Sequence, residues 1–253
     1  MEPSQPTPHR TRFSVRSVSP VKILVTLAGA LLVVGGTGAA IAVVRHQADE
    51  PPAPAAPAPI GSDGAPTSAD CRYVPADDDS TRPGAAPHPQ PTILGRPHVT
   101  VYTDQGRIGI DLAADAAPCT VNSFLTLARA GFFTGIQCHR LTTEGIYVLQ
   151  CGDPTGTGAG GPGYRFDDEN LPVGQQPAYP RGTVAMANGG PGTNGSQFFL
   201  VYKDSDIDPN YSVFGTVTTG LDVLEKVAAA GTDDANGPGD GRPKREITIS
   251  QVR

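Results

Sequence analysis

Met186-Ala187-Asn188-Gly189-Gly190-Pro191-Gly192-Thr193-Asn194-Gly195-Ser196-Gln197-Phe198-Phe199 is the stretch on which the reading of this chain turns. Apolar runs flank it, Thr183–Ala187 before and Gln197–Tyr202 after, and the Gly/Pro/Asn cluster between them breaks any regular element. Two strands joined by a polar loop are therefore expected here. Further runs of the same kind lie at Gly145–Gln150 and Tyr211–Val217, and Ile247, Ile249 and either Gln251 or Val252 close the chain as another strand.

Toward the N-terminus the alternation is plainer. Val99-Thr100-Val101-Tyr102-Thr103, a turn at Asp104-Gln105-Gly106, and Ile108, Ile110 and Leu112 give a β-hairpin pattern. Pro118 then opens a helix with Val121, Phe124, Leu125 and Ala128 on one face, and Gly131 follows as a C-terminal stop. A second short helix is expected over Leu221–Ala229, with Leu221, Leu224 and Ala228 on one face. Many short strands with two helices indicate a mainly β domain, an antiparallel sheet or barrel capped by helices.

The rest of the 253 residues differ in kind. Residues 23–44 are 22 uncharged, mostly apolar positions, long enough at about 1.5 Å per residue to cross a hydrocarbon core of roughly 30 Å. Arg10, Arg12, Arg16 and Lys22 precede them. This bias predicts a basic cytoplasmic N-terminus (1–22), a transmembrane helix (23–44), and a single-pass cell-membrane protein whose C-terminal domain is extracytoplasmic. A cleaved signal peptide, with Ala40-Ile41-Ala42 as its cleavage site, is the alternative; its apolar region would run only about 7–15 residues. The chain holds 31 Gly and 26 Pro, and ten of the thirteen residues 48–60 are Ala or Pro. Residues 45–92 are accordingly expected to form a disordered, extended linker, followed by a folded domain at 93–253.

Net charge is −6, and residues 93–253 carry 12 Lys and Arg against 17 Asp and Glu, which argues against nucleic acid as a partner. The four cysteines, Cys71, Cys119, Cys138 and Cys151, suit an exported protein and allow three complete pairings. Cys138 and Cys151 flank one hairpin and are candidates for facing each other across it. No cysteine or histidine spacing completes a zinc set. Gly158-Ala159-Gly160-Gly161-Pro162-Gly163 spells a dinucleotide-loop pattern, but Pro162 and the absence of a following helix make it a flexible loop. Asp167-Asp168-Glu169 reads as a solvated turn. His139, beside Arg140 on a strand, is expected to point into the barrel.

Three segments together resemble the cyclophilin family: Cys138-His139-Arg140-Leu141 with Tyr147-Val148-Leu149-Gln150-Cys151-Gly152-Asp153, the stretch that opened this section, and Tyr211-Ser212-Val213-Phe214-Gly215. The resemblance spans about Val99 to Arg253. It implies a closed eight-stranded antiparallel β-barrel capped by two α-helices and a peptidyl-prolyl cis-trans isomerase without cofactor or metal, acting as a monomer on proline-containing polypeptides. By position it makes Arg140, Gln150 and Asn188 catalytic. Tyr147, Val148, Ala187, Gln197, Phe199, Ile207, Tyr211 and Phe214 would bind substrate. Tyr147, Val148 and Tyr211 stand where phenylalanine, methionine and histidine are common, and the turn at Thr142-Thr143-Glu144 is longer than usual. The chain has no Trp, which weakens the expectation of cyclosporin binding. A proline-peptide-binding module or holdase chaperone, needing the groove but not turnover, is the alternative function; a structural adaptor is a third.

Overall fold

A computed structural model describes residues 69–76 and 84–253. The basic N-terminus, the apolar segment 23–44 and most of the Ala/Pro-rich stretch lie outside the described residues. Among the described residues, no helix is long and apolar enough to cross a membrane.

The chain runs β1 (Tyr73–Pro75), β2 (His98–Thr103), β3 (Gly106–Leu112), α1 (Pro118–Arg129), β4 (Ile136–Gln137), β5 (Arg140–Thr142), β6 (Val148–Cys151) and β7 (Tyr164–Phe166). It continues through β8 (Thr183–Met186), β9 (Phe198–Val201), β10 (Val213–Thr219), α2 (Leu221–Ala229), β11 (Asp240–Gly241) and β12 (Thr248–Val252). Ten strands form one sheet in the order β11-β5-β6-β9-β8-β10-β3-β2-β12-β4, and every neighbouring pair in it is antiparallel. Eight of these have three residues or more, the number the resemblance implies; β4 and β11 add two-residue ends. One end of the order, β4, runs directly into β5, which stands next to the other end; only Cys138 and His139 separate them in the chain. Cys138 N donates to Ile247 O (2.9 Å) on one side and His139 N to Gln150 O (3.1 Å) on the other. The sheet is curled until its two edges approach across these two residues.

The interior follows from strand alternation. Ile108, Ile110, Leu112, Leu149, Phe198, Leu200 and Phe214 are buried together with Phe124 and Leu127 of α1 and Leu224 and Val227 of α2. Phe124 lies 5.1 Å from Phe133, 5.5 Å from Phe198 and 5.3 Å from Phe214 between ring centres. The start of α1 has no side-chain cap of its own, with Ala117 at the cap position. Glu169 supplies one from fifty residues away: its carboxylate accepts from Cys119 N (3.1 Å), Thr120 N (2.7 Å) and the Thr120 hydroxyl (2.8 Å). Asp167-Asp168-Glu169 is thus not merely a solvated turn. Gly131, at φ +71°, ends α1 as expected.

The tether reading fails for part of residues 45–92. Cys71 is bonded to Cys119, β1 pairs antiparallel with β7, and the Tyr73 hydroxyl donates to Cys119 O (2.8 Å). Gly84 N donates to Pro162 O (2.8 Å). Composition reports local preference only; the disulfide and the edge-to-face contacts of Tyr73 with Tyr164 (5.6 Å) and Phe166 (5.7 Å), made at long range, hold this segment against the domain.

Candidate active site

Register assembles the site. Arg140 on β5 lies opposite Gln150 on β6, Gln150 opposite Phe199 on β9, Phe199 opposite Ala185 on β8, and Ala185 opposite Val213 on β10. Side chains directly opposite each other in antiparallel pairs share a face, so these five residues form one lateral row of roughly 19 Å at strand spacings of about 4.8 Å. The row lies on the outer face because the alternate residues, Leu149, Phe198, Val184 and Phe214, belong to the interior.

At its apolar end the row becomes a second hydrophobic cluster, separate from the main core. Val148, Tyr179, Ala185, Phe199 and Val201 are buried in it, and Ala187, Ile207, Tyr211 and Val213 pack at its margin. Phe199 meets Tyr211 edge to face at 5.6 Å and Tyr179 at 5.8 Å. Tyr179 ties the pocket together: its hydroxyl donates to Tyr211 O (3.2 Å) and accepts from Tyr211 N (2.9 Å). Burial pushes its pKa up to about 12, so it stays neutral. Sequence reasoning missed Tyr179; a lone aromatic between Ala178 and Pro180 carries no periodic signal.

Two expected pocket residues lie elsewhere. Phe214 is fully buried among Phe124 and Phe198 in the interior, because it follows outward-facing Val213 in an alternating strand. Tyr147 packs against the main core, lies 6.0 Å from Tyr202, and has Lys203 Nζ 4.2 Å above its ring. It borders a shallow cleft with Thr143, Arg181 and Ala228.

At the polar end, Arg140 Nε and Nη2 donate to the two carboxylate oxygens of Asp240 at 2.8 and 2.7 Å. Hydrogen bonding to Asp240 raises the guanidinium pKa, and hydrogen bonding to Arg140 holds the Asp240 carboxyl below the usual carboxylate range. Gln150 Nε2 donates to Gln197 Oε1 (2.8 Å), while Gln197 Nε2 donates to Gly158 O (2.9 Å) and Gly160 O (2.8 Å). A groove of about 320 Å³ runs beside this network, bordered by Gln150, Gly158, Gly160, Ala187, Asn188 and Gln197. The Asn188 side chain donates to Asn210 O (3.0 Å) and accepts from Gly190 N (3.2 Å). Among the described residues the Asn188 backbone N–H and carbonyl have no hydrogen-bond partner.

Beyond Arg140 a second cleft of about 430 Å³ is bordered by His139, Gln150, Gly158, Asp240 and Arg242. His139, among the residues bordering this cleft, is buried, and neither ring nitrogen has a partner among the described residues. Burial is the largest influence on it and lowers its pKa, favouring the neutral ring.

Loop 153–160, the glycine-rich stretch, is organised by buried Asp153. Its carboxylate accepts from Thr155 N (2.7 Å), the Thr155 hydroxyl (2.8 Å) and Gly158 N (2.5 Å). Burial alone would raise this pKa; the hydrogen bonds from Thr155, Gly158 and Gly160 outweigh it and hold the group below its ordinary value. A lowered folded pKa means the stabilisation is complete above the unfolded value of about 3.9 and is lost as pH falls through the folded value. Thermal melts should therefore show the wild type losing an acid-sensitive increment below about pH 4 that Asp153→Asn lacks, the variant being less stable at neutral pH. Parallel pH profiles for the two would remove Asp153 from this role. At the loop's base Gly152, at φ +90°, passes so close to Ser196 O that a side chain would collide with it.

Cys138 and Cys151 are disulfide-bonded with Cα atoms 4.0 Å apart, and both are buried in the main core.

Comparison with known proteins gives the family and the fold. The family described as cyclophilin type peptidyl-prolyl cis-trans isomerase/CLD matches residues 98–253. The chain is 48% identical over 211 residues to the probable peptidyl-prolyl cis-trans isomerase B of Mycobacterium tuberculosis, covering 78% of this chain and 68% of that one. The crystal structure of a Cryptosporidium parvum cyclophilin type isomerase superposes with a TM-score of 0.55 at 31% identity, over 62% of this chain and 96% of that chain. A second structure of that protein, determined in the presence of the dipeptide Ala-Pro, gives 0.54 at the same identity, over 62% of this chain and 97% of that one.

Proposed function

The chain belongs to the cyclophilin-type peptidyl-prolyl cis-trans isomerases, and from that premise we propose that Arg140, Gln150 and Asn188 carry the catalysis at the pocket built on Val148, Phe199, Ile207 and Tyr211. The observation that carries the proposal is the row Arg140–Gln150–Phe199, which sets a guanidinium two strand positions from an aromatic pocket wall.

A peptide bond resists rotation by about 18–20 kcal/mol because the nitrogen lone pair is delocalised into the carbonyl. For X-Pro bonds both isomers are populated, and the uncatalysed exchange takes roughly 10–100 s. No covalent step is needed. The apolar cluster holds the proline ring out of water. The Asn188 backbone and Gln150 fix the flanking chain, and a free Arg140 N–H donates to the prolyl nitrogen as it pyramidalises. That contact is stronger in the twisted state than in either planar one, which is the condition for lowering the barrier.

Gln150→Ala tests the positioning part. It should lower kcat/KM on an X-Pro peptide about tenfold, the equivalent of one net hydrogen bond of about 1.4 kcal/mol. An unchanged value would remove Gln150 from the site.

We further propose that the isomerase works outside the cytoplasm on exported polypeptides, tethered by the apolar segment 23–44, and that the curled sheet is a closed barrel. Two disulfides and the basic flank of that segment support the location. An alkaline phosphatase, which needs its own disulfides for activity, fused after residue 253 should be active in whole cells; a full-length fusion that accumulates without activity refutes the location.

A further inference from the structure

Arg140 does not lie loose on its strand. β11 pairs with β5 so that Asp240 faces Thr142 and Gly241 faces Leu141, which makes Asp240 the diagonal neighbour of Arg140 on the same face, within reach of a long side chain. Its carboxylate grips the Nε and Nη2 edge of the guanidinium in a two-point fork. From this geometry we infer that Asp240 is a positioning residue for isomerisation, fixing the plane of the Arg140 guanidinium so that its opposite edge faces the peptide bond. The inference rests on the reading of Arg140 as the catalytic donor.

Three features support it. Of the five guanidinium N–H groups, Asp240 engages two and leaves the rest on the far edge. Asp240 is itself held: Asn236 Nδ2 donates to its carboxylate (3.2 Å), and Asn236 N donates to its carbonyl (3.0 Å). The hairpin that delivers it is pinned from both sides. Asp234 accepts from Gly239 N (2.9 Å), Asp233 accepts from Arg242 N (2.7 Å), and Thr143 N donates to Gly239 O (2.8 Å). A donor misplaced by about 1 Å can cost around a hundredfold in rate, so a carboxylate that fixes its plane acts on kcat more than on KM.

The test is a double-substitution cycle on the full chain, with isomerisation of an X-Pro peptide and the thermal unfolding midpoint as readouts. Asp240→Ala should lower kcat/KM about tenfold or more, chiefly through kcat, with Asp240→Glu recovering part of the loss. In an Arg140→Ala background the same change should have no further effect, because its action runs through Arg140. Wild-type turnover in Asp240→Ala, beside an inactive Arg140→Ala, would overturn the inference and leave the site reading intact. So would an equal loss in both backgrounds, which marks a merely structural role. Full activity in Arg140→Ala would overturn the site reading itself, and the inference with it.

Discussion

Replacing Arg140 by alanine should lower kcat/KM for X-Pro isomerisation by about a hundred- to a thousandfold, the usual cost of deleting a preorganised donor aimed at charge that develops in the transition state. The fold should tolerate the change. The Arg140 side chain is 38% exposed and that of its partner Asp240 26%, so breaking the pair costs at most about 1 kcal/mol after solvent screening. The apolar pocket lies two strands away and is built without Arg140. A proline peptide should therefore still bind with nearly its original affinity, the loss appearing in kcat. Arg140→Lys should fall between the two, because an ammonium keeps the charge but cannot satisfy the Asp240 fork and donate to the peptide together. Turnover within about threefold of wild type in Arg140→Ala would take the chemistry away from this residue. Binding retained without turnover in both proteins would favour the peptide-binding role.

The second large effect concerns the Cys138–Cys151 bond. Closing a loop of 13 residues constrains the unfolded chain by about 3 kcal/mol in the loop-entropy account. The bond also braces the place where β4 passes into β5 and the two edges of the sheet approach. Cys138→Ala with Cys151→Ala should lower the thermal midpoint by roughly 6–12 °C for a domain of this size. Activity at low temperature should persist, since register and side-chain row are set by strand pairing. The Cys71–Cys119 loop is longer, at 48 residues, and the same account gives it about 4 kcal/mol. The segment it ties carries only the three-residue β1, however, so its loss should free that segment before it weakens the core. A calorimetric scan separates the cases: a shifted main transition for the first pair, a small early one for the second. An unshifted main transition without Cys138 and Cys151 would refute the bracing role.

What could be read from the sequence depended on whether a contact is local. The stretch Met186–Phe199 is contiguous, so it announced its family directly, and the alternation around Ile108, Ile110 and Leu112 gave the first hairpin. Both helices lie where their apolar spacing indicates. The resemblance transferred Phe214 to the pocket, yet Val213 is the outward residue of that strand, and a one-residue offset exchanges surface for core. Tyr147 was carried over similarly and packs toward Tyr202. Asp240 gave no signal because its partner lies 100 residues away and meets it only through a two-residue strand. Glu169 was hidden likewise: a helix cap contributed from another loop leaves no mark near Ala117. The Ala/Pro composition before Ile93 concealed Cys71 and Tyr73, whose contacts are made after the chain has folded back.

The Cys71–Cys119 bond also decides how the domain would bear mechanical tension. A pull applied through the chain N-terminal to residue 69 passes at Cys71 across the disulfide to Cys119, in the first turn of α1, without travelling along the backbone between them. Residues 72–118, with β1 and the β2–β3 hairpin, are thereby shielded from load. Force then enters through the helix whose start Glu169 secures. With the bond reduced, the same pull would travel through β1 and then peel β2 from β3 and β12, the arm of the sheet opposite the arginine.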